Sequence, residues 1–111
     1  MQRELEGRAK SFVIAVIMFC RKLQIDTAMR ELSRQIVRSA GSIGANYVEA
    51  NEALSKKDFL LHLRIARKEA QETEFWLGVF RGLTNASEIP ALQQEARELV
   101  KILTAIIKKS E

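Results

Sequence analysis

The spacing of apolar positions along the chain predicts four α-helices and no β-strand. Apolar residues recur every three or four positions through residues 5–24, 27–53, 55–84 and 87–109, which is the period of an amphipathic helix. The short connections make consecutive helices antiparallel. We therefore predict an all-α, antiparallel up-down-up-down four-helix bundle, with residues 1–111 forming a single domain. The predicted core consists of Phe12, Val16, Leu32, Ile36, Ile43, Phe59, Leu63, Ala66, Leu77, Phe80, Leu99, Leu103 and Ile106.

The second predicted helix contains two glycines close together. Helix propensity alone would end it at Gly41–Gly44, because an interior glycine costs about 1 kcal/mol relative to alanine. The apolar period nevertheless stays in phase through Ile43 and Tyr47. We therefore predict a continuous helix, in which the small residues let a neighbouring helix approach closely. A loop at residues 41–46 would contradict this prediction.

Local signals mark where three of the helices begin. Asp26 and Thr27 offer an N-cap to the second helix. Ser55 and Asp58 form a capping box at the start of the third, and Pro90 lies in the first turn of the fourth.

The first predicted helix is apolar over more than half of its circumference, which indicates a subunit interface and hence a homo-oligomer. Its apolar run, residues 12–20, is too short for a bilayer, which needs about 20 residues. Acidic Glu4 and Glu6 precede the run, unlike in a signal peptide. The single cysteine, Cys20, fits a reducing compartment. We predict a buried helix, a cytoplasmic protein and no membrane partner.

The polar residues predict neither an enzyme nor a bound cofactor. One cysteine and one histidine, His62, do not suffice for a structural zinc site, and His62 is predicted to lie at the surface or on a flank. The helical carboxylates Glu69 and Glu72 are interpreted as partners of Arg67 and Lys68. No catalytic residue, metal ligand or cofactor is assigned.

Basic residues carry the strongest indication of function. The net charge is +4, and residues 1–48 hold eight basic and four acidic side chains while residues 49–111 hold ten of each. Arginines recur every four residues on the second helix, and a second basic cluster opens the third. Such groups suit contacts with phosphate, although a solvated, ion-paired face explains them equally well. The predicted nucleic-acid-binding residues are Arg30, Arg34, Arg38, Lys56, Lys57, Arg64, Arg67 and Lys68.

Asn46 and Glu49 are three residues apart and share a helical face. One interpretation is a hydrogen-bonded structural polar pair that fixes helix register. The alternative is contact with a ligand or a partner at the end of the bundle.

Three segments of the chain resemble a known family. They are RSAGSIGANYVE at residues 38–49, SKKDF at residues 55–59, and IARKEAQETE at residues 65–74. Their order and spacing are similar to those of the 23S rRNA intervening-sequence, or S23, family of small bacterial four-helix bundles. The resemblance implies a ring-shaped homopentamer. It also extends to the accessory proteins of diversity-generating retroelements, which work with a reverse transcriptase and bind nucleic acid through a basic surface.

Together these observations predict a non-enzymatic oligomeric bundle that binds RNA or DNA through basic faces of its second and third helices. A partner protein such as a reverse transcriptase is part of that hypothesis. The alternative is a protein-interaction scaffold whose charges serve only solubility.

Overall fold

The computed structural model describes residues 2–111, with side chains from Glu4 onward. It contains four helices and, within that range, no strand: α1 (Gln2–Arg21), α2 (Thr27–Asn51), α3 (Lys56–Leu83) and α4 (Ile89–Ser110). The all-α four-helix prediction is therefore confirmed. The helices begin and end within three residues of the predicted bounds, and the largest differences are at the two ends of α1.

The predicted signals for helix starts are present. Asp26 precedes α2, and its Oδ1 accepts a hydrogen bond from the Met29 backbone amide at 2.8 Å. Ser55 precedes α3, and its Oγ accepts from the Asp58 amide at 3.1 Å. Each cap satisfies a donor that the first helical turn leaves unpaired. Pro90 lies in the first turn of α4.

Helix α2 runs without interruption through Gly41 and Gly44, as the apolar phase predicts. A Cβ added at Gly44 would lie 3.3 Å from the Cβ of Ala9, and one at Gly41 would lie 3.8 Å from a methyl of Val13. The glycines thus occur where α1 crosses α2 closely. Their cost in helix propensity is offset by this packing.

The core runs along the centre of the bundle, and each helix packs against its neighbours in sequence. The interface of α2 with α3 is the most extensive and that of α1 with α4 the smallest. Phe19 of α1 and Phe80 of α3 meet across the middle in an edge-to-face contact, with ring centroids 5.3 Å apart. Most of the predicted core is buried. The exceptions are Leu32, Phe59 and Ile106, which are only partly buried at its margin.

Two hydroxyl groups are buried within the interface of α2 with α3. The Oγ of Ser39 lies 2.8 Å from Oγ1 of Thr73, and Thr73 donates to the carbonyl of Glu69 at 2.8 Å. Each hydroxyl has one proton and also a carbonyl of its own helix in reach, because Ser39 Oγ lies 3.2 Å from the Ile36 carbonyl, so one hydroxyl donates to the other and the second donates to its own backbone. The chain of hydrogen bonds satisfies both hydroxyls inside an otherwise apolar interface.

The contact between α1 and α4 is small and includes two ion pairs. Arg8 makes two hydrogen bonds to Glu95, at 2.6 and 2.8 Å, and Lys22 contacts Glu88 at 2.9 Å. An open groove of about 380 Å³, lined in part by Phe12, lies between the two helices. Helix α1 is consequently held mainly through α2.

Candidate nucleic-acid interface

The predicted arginine stripe of α2 is exposed along its length. Arg34 is bonded within its own helix, because its Nη2 lies 2.8 Å from Oε2 of Glu31. This hydrogen bond lowers the pKa of the Glu31 carboxyl and raises that of the Arg34 guanidinium. Arg30 forms no ion pair with any residue whose side chain the structure describes. Of the first two arginines in the stripe, Arg30 is therefore unpaired among the described side chains, and the charge of Arg34 is neutralised by Glu31.

Arg38, at the end of the stripe, forms ion pairs that join α2 to α3. Its Nη1 lies 3.3 Å from Oε1 of Glu69, and its Nη2 donates to Oε2 of Glu72. The same Glu72 oxygen accepts from Nε1 of Trp76 at 3.0 Å. The predicted pairing of both carboxylates with Arg67 and Lys68 is wrong. Glu69 and Glu72 lie on the flank of α3 that faces α2, within reach of Arg38.

Only part of the predicted second basic cluster lies on the outward face of α3. Eight of the helix's exposed positions form two adjacent rows at heptad spacing, and the acidic Asp58 is exposed outside these rows in the first turn. One row is Lys57, Arg64, Gln71 and Gly78; the other is Leu61, Lys68, Phe75 and Gly82. None of these residues is acidic. The face is thus basic in its first half and free of charge in its second.

The other predicted basic residues of α3 lie apart from this face or are partly engaged. Arg67 is half-buried because it lies about 100° around the helix from Lys68. Arg64 pairs with Glu111 at 3.0 Å, although the side chains of both remain about half exposed. Lys56 is exposed at the start of the helix. The eight predicted residues therefore do not form one continuous surface.

Asn46 and Glu49 do not form the predicted hydrogen-bond pair. The Nδ2 of Asn46 donates to the carbonyl of Ser42 at 2.9 Å, and its Oδ1 lies 3.2 Å from Nδ1 of His62. Glu49 is exposed to solvent. Three residues along a helix still turn the side chain by about 60°, which takes Glu49 away from α3 while Asn46 faces it. His62 is accordingly a half-buried flank residue that ties α3 to α2.

Several large apolar side chains are exposed, as the apolar excess in the sequence predicts. Ile14 and Met18 lie one turn apart on α1, with 53% and 47% of their surface accessible. On α3, the exposed fraction is 62% for Phe75 and 60% for Leu83. The exposure of Phe75 on the outward face of α3 was not predicted from the sequence. Its signal was the heptad spacing from Leu61 and Lys68, which places all three on one surface.

The remaining chemistry of the chain is limited. Cys20 is buried, and desolvation raises the pKa of its thiol. Among the described residues, no group of three or more histidine, cysteine, aspartate or glutamate side chains has an arrangement that would hold a metal ion. No helix in residues 2–111 is both long and apolar enough to cross a bilayer.

Comparison with known proteins identifies the family. The profile of the 23S rRNA-intervening sequence protein family matches residues 3–105, which is nearly the whole chain. The chain belongs to this family. The chain is similar to a protein from Bacteroides thetaiotaomicron whose crystal structure is known, described as a protein with unknown function from the S23 ribosomal protein family. It shares 32% sequence identity with a TM-score of 0.85, over 96% of this chain and 97% of that one. No curated protein matches this chain.

Proposed function

We propose that the protein is a non-enzymatic, oligomeric helical bundle that binds the phosphate backbone of RNA or DNA in the cytoplasm. The observation that carries the proposal is the outward face of α3. On this face Lys57 and Lys68 have no ion-pair partner among the side chains described, Arg64 is half exposed although paired with Glu111, and the two rows themselves contain no acidic residue. Lys57 and Lys68 therefore offer cations that need not break internal ion pairs to contact phosphate.

The structure changes which of the predicted residues are expected to matter most. Arg30 on α2 and Lys57 and Lys68 on α3 are free to bind, whereas Arg38 would have to leave two carboxylates. Binding through Arg38 therefore has a cost that binding through Lys68 does not have. We expect the α3 face to contribute more affinity than the arginine stripe.

Salt-dependent binding tests this proposal. The full-length chain is titrated into a fluorescently labelled RNA of mixed sequence, starting at about 50 mM salt, and log K is plotted against log salt. Replacement of Lys57 and Lys68 by glutamine should weaken binding to all sequences and flatten the slope by about 0.7 for each single-strand phosphate that the variant no longer neutralises. The matched control replaces Lys10 and Lys101, which are exposed lysines of α1 and α4. Equal effects of the two double variants, or no salt-sensitive binding by the wild type, would overturn the proposal.

Self-association is the second part of the proposal. Ile14 and Met18 on α1 supply exposed apolar surface for a subunit contact. The family resemblance favours a homopentamer, and repetition of the basic face around a ring would strengthen phosphate binding. Sedimentation of the purified chain should give a species several times heavier than 12.6 kDa. A monomer at micromolar concentration would contradict this part.

The finer form of the proposal includes a partner protein such as a reverse transcriptase, which only the resemblance to retroelement accessory proteins supports. The alternative function is a protein-interaction scaffold, which the exposed Phe75 and Leu83 favour. A nucleic-acid binder purified at low salt should have a raised ratio of absorbance at 260 nm to that at 280 nm, and the ratio should fall after a high-salt wash. A scaffold should show no such change.

A further inference from the structure

The outward face of α3 presents an aromatic ring held in a fixed position. The Phe75 side chain is 62% exposed, yet its ring packs edge-on against Trp76, with centroids 5.2 Å apart and planes at 71°. Trp76 is itself fixed, because its Nε1 donates to Glu72, which Arg38 also binds. The ring is therefore supported on one side and open to solvent on another.

The helix surface next to the ring is open. Gly78 and Gly82 follow Phe75 on the same exposed face, and a Cβ added at either would meet nothing within 4 Å. Each interior helix glycine costs about 1 kcal/mol relative to alanine. The packing within the chain gives no compensating contact at these two positions, unlike at Gly44. The glycines leave room beside Phe75 for a flat group to approach the helix.

The cations on this face lie within reach of the same ligand. Lys68 precedes Phe75 by seven residues and Arg64 by eleven, which correspond to about 10 Å and 16 Å along the helix axis. The two rows contain no acidic residue between Arg64 and Phe75, and Arg64 would exchange its exposed ion pair with Glu111 for a phosphate. A strand whose phosphates contact Arg64 and Lys68 would therefore continue toward the aromatic ring.

We infer that Phe75 stacks against an unpaired base while Lys68 and Arg64 bind phosphates of the same strand, so that the preferred ligand is single-stranded RNA or DNA. The inference rests on the proposed function and specifies its substrate class. In a duplex, base faces are already stacked on one another, so a surface ring gains nothing from them. An aromatic side chain that stacks a base contributes about 1–3 kcal/mol to binding single strands.

The experiment compares two probes, an RNA of about 12 nucleotides without self-complementarity and the duplex that it forms with its complement. Affinities are measured by fluorescence anisotropy at about 50 mM salt for the wild type and for Phe75→Ala, Phe75→Leu and Phe75→Trp. The control is Leu61→Ala, which removes an apolar side chain, 49% exposed, from the same row of α3. Circular dichroism and light scattering on each variant report fold and assembly.

The wild type should bind the single strand more tightly than the duplex. Phe75→Ala should weaken single-strand binding by about 5- to 150-fold, the fold-change that corresponds to about 1–3 kcal/mol, and should change duplex binding by less than about twofold. Phe75→Leu keeps the apolar contact but lacks a π face, so it should behave like Phe75→Ala. Phe75→Trp should restore binding, and Leu61→Ala should leave it unchanged.

Each other outcome overturns the inference in a distinguishable way. Wild-type affinity in Phe75→Leu would show that the ring face is not used. Equal binding of single strand and duplex, with no effect of Phe75→Ala on either, would refute the preference for single strands but leave the proposed binding to nucleic acid. A Phe75→Ala variant with altered assembly mass and unchanged binding would assign the ring to a contact between copies. No wild-type binding to either probe would end both proposals.

Discussion

Arg38 and Arg34 lie one turn apart on α2, yet their replacement by alanine should affect stability very differently. Arg34 pairs with Glu31 on its own helix, and both side chains are more than half exposed. Arg38 instead joins α2 to α3 through Glu69 and Glu72. Removing Arg38 leaves Glu69, whose side chain is only 16% exposed, without its cationic partner.

The expected magnitude lies between two limits. An exposed ion pair contributes about 0–1 kcal/mol, whereas breaking a fully buried one costs about 3–5 kcal/mol. The Arg38 side chain is 43% exposed, so solvent screens much of the interaction. We therefore expect Arg38→Ala to lower the free energy of unfolding by about 1–2 kcal/mol, and the midpoint of thermal unfolding by about 4–8 °C. Arg34→Ala should have no measurable effect.

Urea denaturation followed by circular dichroism measures these differences without using Trp76, which contacts Glu72, as the probe. A double-mutant cycle of Arg38→Ala with Glu69→Ala isolates the pair, and the double variant should be more stable than the sum of the single effects predicts. At about 1 M salt the exposed part of the effect should shrink. Equal stability of Arg38→Ala and Arg34→Ala would refute the reasoning.

Three further predictions concern stability. Gly78→Ala should stabilise the fold by about 0.5–1 kcal/mol, and Gly44→Ala should gain less because its new Cβ would crowd α1; thermal unfolding of both variants tests this. Ser39→Ala and Thr73→Val should each cost about 1 kcal/mol in urea denaturation, and the double variant should cost clearly less than their sum, since neither hydroxyl is then left without its partner. The hydrogen bond from Lys22 lowers the pKa of the Glu88 carboxyl. This ion pair therefore stabilises the fold fully above the ordinary pKa of 4.5, and its contribution is lost as the pH falls below that value. In a pH series of unfolding midpoints, Glu88→Gln should remove that part of the acid dependence, and an unchanged pH profile would contradict the assignment.

The helices and their order were predictable because they depend on local signals. Apolar phase identified the face of each helix, and the caps at Asp26 and Ser55 gave two of the starts. Phase also correctly outweighed glycine propensity at Gly44, where the close approach of Ala9 explains the residue.

The candidate site was less predictable, because helical spacing fixes a side chain's direction but not its neighbour on another helix. Glu72 lies four residues after Lys68, the spacing of an intrahelical pair, whereas Glu69 is only one residue from Lys68 and two from Arg67. Their actual partner, Arg38, is more than thirty residues away and becomes adjacent only when α2 packs on α3. The same limit applies to Asn46, whose partner His62 is on α3 and not one turn away on α2.

The small contact between α1 and α4 implies that the bundle does not open uniformly. Only α2 holds α1 by extensive packing, and the ion pairs of Arg8 with Glu95 and Lys22 with Glu88 are weakened by salt. We expect amide hydrogens of α1 to exchange with solvent through a local opening that leaves α2, α3 and α4 assembled. Raising the salt concentration should accelerate exchange in α1 selectively. Detachment of this first helix would then be tuned by ionic strength, independently of the stability of the remaining three.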